Sequence, residues 1–74
     1  MSNYGVVLFY TTSSAIRAEK VLENGNIYAK LIPTPRELSS DCGISLRFDW
    51  ELADSVRNAL EFDKVEIAGI HKIP

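Results

Sequence analysis

The feature that most constrains the fold is the order in which two kinds of periodicity follow each other along the chain. Four segments, residues 4–10, 27–32, 44–48 and 65–73, have the apolar runs or the alternation typical of strands. Two segments between them repeat apolar residues at spacings of three and four, which is typical of amphipathic helices. The predicted order is therefore β-α-β-β-α-β, and right-handed crossovers allow few arrangements of it.

Capping residues mark the ends of the two predicted helices. The hydroxyl groups of residues 11–14 are N-cap candidates for the first helix, and Asn24 and Gly25 end it, with Gly25 as the left-handed residue after the last turn. Asp49 is the predicted N-cap of the second helix, and Glu51 lies in its first turn, where the helix dipole favours a carboxylate. The apolar stripes consist of Ala15, Ala18, Val21 and Leu22 in the first helix and Leu52, Val56, Ala59 and Leu60 in the second.

These elements predict an α+β fold of the ferredoxin-like type. Both helices are expected on one face of a four-stranded antiparallel sheet with the strand order 4-1-3-2. The first strand is apolar throughout and suits a central position, whereas Lys30 and Pro33 indicate that the second strand lies at an edge. Apolar and polar residues alternate in the third strand, with Ser45 and Arg47 on the side away from the core. In the fourth strand, a bend or bulge is expected at Gly69.

Length, charge and cysteine content narrow the class of protein. A chain of 74 residues is expected to form a single domain, residues 1–74, with a thin core. Its net charge of −2, without a basic stripe, argues against a nucleic-acid or anionic-membrane binder. We expect no signal peptide, since the first ten residues contain no lysine or arginine, and the single cysteine fits a reducing, cytoplasmic setting. With one histidine and one cysteine, we expect neither a metal site nor a cofactor.

The first predicted strand is apolar on both of its faces, although only one face can lie under the helices. Every residue from 6 to 10 is apolar. We therefore expect the other face of the sheet to be covered, most simply by a second copy of the chain in a two-fold homodimer. The alternative is that long side chains such as those of Arg47 and Lys30 lie over it.

Residues 33–43 form the candidate functional segment, because they are the longest stretch with neither strand nor helix periodicity. A domain this small rarely has so long a connection without a function. The segment contains Cys42, which we expect to be solvent-accessible and reactive, and Gly43, which leaves space beside the sulfur. The alternative is that Cys42 is a small, partly buried residue without chemistry.

Basic and hydroxyl side chains near Cys42 are candidates to support a thiolate or to bind an anion. Arg36 in the segment and Arg47 in the third strand would both favour a thiolate. Arg36, Ser39 and Ser40, with backbone N–H groups, would form an anion-binding loop. The alternative for this group is a solvated arginine and ordinary turn serines.

Signatures of the common enzyme classes are absent from the sequence. There is no Ser/His/Asp arrangement, no Walker loop and no dinucleotide-binding glycine pattern. His71 is expected to be a surface residue, and Trp50 to cover the edge of the core. The absence of these signatures favours a binding protein over a stand-alone enzyme.

Three stretches of the chain resemble a family of small bacterial and archaeal domains. They are residues 17–20 (Arg-Ala-Glu-Lys), residues 31–43 with their Pro-Thr-Pro-Arg-Glu run and Cys-Gly pair, and Arg47-Phe48. The chain is similar over nearly its whole length to the selenium/sulfur carrier-like family. This resemblance implies a ferredoxin-like fold. It also implies that Cys42 holds sulfur or selenium, as a persulfide or selenopersulfide, between donor and acceptor proteins.

Two other functions remain open from the sequence. The first is a non-catalytic interaction or small-ligand-sensing module, since many ferredoxin-like domains have such roles and fold alone does not decide. The second is a redox enzyme, whose resolving cysteine would have to come from a partner.

Overall fold

The structure, a computed structural model, describes residues 3–38 and 42–73. Along the chain the elements are β1 (Tyr4–Leu8), α1 (Thr12–Asn24), β2 (Ala29–Pro33), β3 (Ile44–Asp49), a short 3-10 helix (Trp50–Leu52), α2 (Ala53–Phe62) and β4 (Gly69–Ile73). The four strands form one antiparallel sheet in the order β2-β3-β1-β4, which is the predicted order counted from the other edge. The predicted α+β ferredoxin-like fold is therefore confirmed, with β2 at an edge and β1 in the centre.

Both helices pack on the same face of this sheet. Strand pairing places Val7 opposite Leu46 and Gly5 opposite Phe48, so these four residues share one face. Their side chains join the predicted helix stripes in the core, and burial of this apolar surface is the main force that holds the layers together. The buried core residues of the helices and strands include Val7, Phe9, Ala15, Ala18, Leu22, Leu46, Phe48, Val56 and Leu60.

The helix ends agree with the prediction at one terminus and differ at the other. Thr11 is the N-cap of α1, and its hydroxyl accepts a 3.1 Å hydrogen bond from the Ser14 N–H. The prediction that Gly25 is left-handed is wrong, because Gly25 has φ −89° and the left-handed residue is Asn26, with φ 59°. Hydrogen bonds from the N–H groups of Asn26 and Ile27 then close the helix end.

The second helix and the last strand both begin later than predicted. Asp49 precedes the 3-10 helix and makes no side-chain capping bond, so α2 proper starts only at Ala53. β4 starts at Gly69 instead of running through it, because the preceding residues close the end of α2. Within that connection, Val65 donates its N–H to the Leu60 carbonyl, and the Ala68 N–H reaches the Leu8 carbonyl.

The sheet face without helices is covered by side chains of the same chain. Val6 is fully buried and Leu8 is 4% exposed in a single copy. The guanidinium carbon of Arg47 lies 4.6 Å from the centre of the Tyr4 ring, as expected for a long side chain lying over this face. Ser45, predicted to point away from the core on this face, is also fully buried. Covering β1 therefore does not require a second copy.

Trp50 covers the edge of the core, as predicted, and it does so above a glycine. Its ring stacks on Phe48 with centroids 6.1 Å apart. A Cβ atom on Gly5 would lie 2.5 Å from one carbon of Trp50 and 2.6 Å from one of Phe48, so the two rings occupy the space that any larger residue would need.

In the part of the chain that the structure describes, neither helix is long and apolar enough to cross a membrane.

Candidate functional site

Cys42 lies two residues before β3 and is buried. The residue is only 5% exposed and belongs to the core cluster, so the prediction that it is solvent-accessible is wrong. The reason is tertiary packing: Cys42 joins a cluster that contains Ala15 of α1 and Leu46 of β3, and its sulfur contacts Thr12. The sequence does not show which part of a connecting segment a helix will cover, and this is why the prediction failed.

The sulfur of Cys42 lies at the beginning of α1. Its Sγ atom is 3.7 Å from the Oγ1 atom of Thr12, the first residue of that helix. The Thr12 hydroxyl can donate a hydrogen bond to this sulfur or accept one from it. The sequence offered Thr12 only as one of four capping candidates, and its contact with Cys42 was not predicted.

Thr34 holds the backbone of Cys42 from the other side. Its hydroxyl donates a 3.0 Å hydrogen bond to the Cys42 carbonyl and lies 2.7 Å from the hydroxyl of Ser45. Its backbone N–H donates a 3.0 Å bond to the Gly43 carbonyl. Thr34, the residue that follows β2, therefore contacts Cys42, Gly43 and Ser45 around the start of β3. Sequence analysis missed Thr34, although its place between two prolines was visible.

The predicted supporting residues Arg36 and Gly43 both lie on the surface. Arg36 is exposed in the turn closed by a 3.0 Å bond from the Leu38 N–H to the Pro35 carbonyl. Gly43 is exposed, its φ is outside the left-handed region, and a Cβ atom there would meet no atom of residues 3–38 and 42–73 within 4 Å. Neither its backbone conformation nor packing against the described residues therefore requires a glycine beside Cys42.

Arg47 is not brought to Cys42. Its side chain lies on the helix-free face, over Tyr4, and Tyr4 pairs with Asp49 at the end of β3 that is distant from Cys42. The structure therefore gives no support to the prediction that Arg47 favours a thiolate at Cys42. Ser39 and Ser40, predicted to bind an anion together with Arg36, lie outside the described residues. His71 is exposed, as predicted, and no cluster of metal-binding side chains occurs within residues 3–38 and 42–73.

Comparison with known proteins identifies the family. Residues 4–72 match the family described as "Putative Se/S carrier protein-like", so the match covers nearly the whole chain and includes Thr12, Thr34 and Cys42. Neither the search of curated proteins nor the search of solved structures found a match. The resemblance inferred from residues 17–20, 31–43 and 47–48 is thereby confirmed. This chain belongs to the Se/S carrier protein-like family.

Proposed function

We propose that this protein carries a sulfur or selenium atom on Cys42 as a persulfide or selenopersulfide. The observation that supports this function is the position of the Cys42 sulfur, 3.7 Å from the Thr12 hydroxyl at the N-terminal turn of α1, in a chain of this family. A thiolate is the nucleophile in sulfur transfer, and the Thr12 hydroxyl is close enough to donate a hydrogen bond to it.

The transfer requires no external oxidant. The Cys42 thiolate attacks the terminal sulfur of a donor persulfide, R–S–S–H. A new S–S bond forms at Cys42 while the donor S–S bond breaks, and the donor leaves as a thiolate, R–S⁻. An acceptor nucleophile then attacks the terminal sulfur of the Cys42 persulfide and releases the Cys42 thiolate. A donor selenopersulfide, R–S–Se–H, reacts in the same way.

The carrier therefore has two partners, a donor protein and an acceptor protein. Both would approach beside Gly43, where the absence of a side chain leaves open space next to Cys42, and the exposed Arg36 would contact them or the anionic atom being transferred. The proposed carrier is the single domain of residues 1–74, and it acts in the cytoplasm, where thiols and persulfides stay reduced. A homodimer through the helix-free sheet face stays a prediction, to be tested by light scattering at high concentration.

Intact-mass measurement tests the carrier function directly. The protein is incubated with a cysteine desulfurase and cysteine, and its mass is then recorded with and without a reducing agent. We expect an adduct of one sulfur atom that the reducing agent removes. The Cys42→Ser variant should gain no adduct, and Thr12→Val should gain it more slowly because the hydroxyl contact is lost. An adduct of equal yield on Cys42→Ser would contradict the assignment.

The burial of Cys42 favours a second candidate, a non-catalytic interaction module. In such a protein Cys42 would only fill the core beneath the start of β3. The two functions differ in when the thiol becomes available. If Cys42 reacts with iodoacetamide only after complete unfolding, the carrier function fails and the interaction module replaces it.

A further inference from the structure

We propose that Thr34 is a positioning residue that holds Cys42 in its buried position, and that release of its side-chain hydrogen bond exposes the thiol to a sulfur or selenium donor. This inference rests on the proposed carrier function for its purpose, although the release itself is measured without any donor. It starts from a conflict: Cys42 is 5% exposed, whereas attack on a protein-bound persulfide requires its sulfur at the surface.

The hydrogen bonds of Thr34 form a short chain with a defined direction. Thr34 has one hydroxyl proton and donates it to the Cys42 carbonyl at 3.0 Å. The 2.7 Å contact with Ser45 must therefore have Ser45 as the donor. Ser45 is fully buried, so without Thr34 its hydroxyl would lose this partner in a place that water does not reach. The same hydroxyl of Thr34 thus satisfies Ser45 and fixes Cys42.

Thr34 is suited to this position by its neighbours in the chain. Pro33 and Pro35 have no N–H group and restrict the backbone on both sides. Of these three residues, only Thr34 can donate a backbone hydrogen bond to the start of β3, and it does so to Gly43. Its β-branched side chain has few rotamers, which keeps the hydroxyl directed at Cys42 and Ser45. The Pro-Thr-Pro run therefore provides a stiff support opposite the cysteine.

The hydrogen bond from the Thr34 hydroxyl to the Cys42 carbonyl is strong enough to favour the buried position of Cys42 and weak enough to break without global unfolding. A single neutral hydrogen bond contributes on the order of a tenfold factor to a local equilibrium. Partial opening around Cys42 can therefore occur far more often than global unfolding, which breaks the whole core. A donor that docks beside Gly43 would bind the open form and shift this equilibrium towards it.

Thiol labelling as a function of urea tests the proposal. Iodoacetamide labels Cys42 in the folded protein only when the thiol is exposed, and urea separates local from global opening, because local opening exposes little surface. For the parent we expect a labelling rate that is nearly independent of urea at low concentrations. Thr34→Val should raise this rate about tenfold, and Thr34→Ser, which keeps the hydroxyl, should stay within about twofold of the parent.

Ser45→Ala is the matched control. It also removes a buried hydrogen bond and lowers global stability, but it leaves the bond from Thr34 to the Cys42 carbonyl intact. Its urea-independent labelling rate should therefore stay within about twofold of the parent. Equal acceleration by Ser45→Ala and Thr34→Val would overturn the proposal, and so would parent labelling that follows global unfolding at every urea concentration.

The failure of this inference is distinguishable from failure of the carrier function. If Thr34 does not control exposure, labelling is unchanged in Thr34→Val while the desulfurase still loads the parent. If the protein is no carrier, Thr34→Val accelerates labelling while no variant gains sulfur. If both proposals hold, the sulfur adduct should form faster on Thr34→Val, by about the same factor as labelling.

Discussion

Two glycines illustrate how differently one residue type is used in this chain. Gly5 lies under the stacked rings of Phe48 and Trp50, where an added Cβ would be 2.5 Å from a ring carbon. Gly43 lies on the surface beside Cys42, where an added Cβ would meet none of the described residues within 4 Å. Packing therefore requires a glycine at the first position, whereas the described residues leave room for a side chain at the second.

Alanine at these two positions should therefore have opposite effects. Gly5→Ala should lower the free energy of unfolding by about 1–3 kcal/mol, because the rings must move to admit the methyl group. Gly43→Ala should leave it unchanged or raise it by about 0.5 kcal/mol, since alanine restricts the unfolded chain. Urea denaturation measures both. A destabilised Gly43→Ala would show that this glycine is structural after all. A stable Gly43→Ala that loads sulfur slowly would support close approach of a partner.

At the scale of elements, both helices end in the same way. In each, the first residue after the C-cap has a positive φ, 59° at Asn26 and 56° at Lys64. The next residue, Ile27 or Val65, then donates its N–H back to a carbonyl of the last turn. This is the Schellman arrangement, and it turns the chain so that these apolar residues pack on the core.

Lysine is poorly suited to the left-handed conformation, and this gives a prediction about α2. Lys64→Gly should raise the free energy of unfolding by about 0.5–1 kcal/mol, because glycine adopts positive φ without a steric penalty. Asn26→Gly is the matched control and should have a smaller effect, since asparagine tolerates this conformation better than lysine does. Thermal or urea unfolding measures the difference. If Lys64→Gly destabilises the protein, the left-handed conformation does not limit the stability of α2.

At the scale of the whole molecule, one of the polar contacts between the two β-α-β halves joins the two helices. Arg17 of α1 donates a 2.7 Å hydrogen bond from its Nη2 atom to the carbonyl of Asp63, the C-cap residue of α2. A cation at the C-terminal end of a helix interacts favourably with its dipole. Arg17 is one of the residues that carried the family resemblance, and the structure places it in the scaffold, away from the cysteine.

Removing this contact should weaken the whole fold slightly. Arg17→Met keeps much of the side-chain length and should lower the free energy of unfolding by about 0.5–1 kcal/mol. This difference from the parent should be the same at low pH, because the acceptor is a carbonyl, which does not titrate. Arg57→Met is the control. Its ion pair with Asp54 is longer, at 3.4 Å, and joins two residues of the same helix, so we expect no measurable change. Equal losses in both variants would contradict a specific role for Arg17.

Local patterns were sufficient to predict the elements and their arrangement. The apolar stripes, the Thr11 cap, the alternation of β3 and the edge position of β2 all depend on residues a few positions apart. Handedness rules then leave few sheet orders for β-α-β-β-α-β, and the structure has the predicted one. The same local signals selected residues 33–43 as the segment of interest, and Cys42 within it.

Tertiary structure alone decided how that segment is arranged. The contact between Thr12 and Cys42 joins residues 30 positions apart, and Thr34 reaches Ser45 across 11 positions, distances over which sequence spacing carries no geometric information. Burial of Cys42 depends on how α1 crosses the end of the sheet, and the need for glycine at Gly5 depends on where Trp50 packs. Periodicity and capping are properties of short segments, whereas burial and long-range contacts exist only once the segments have packed together.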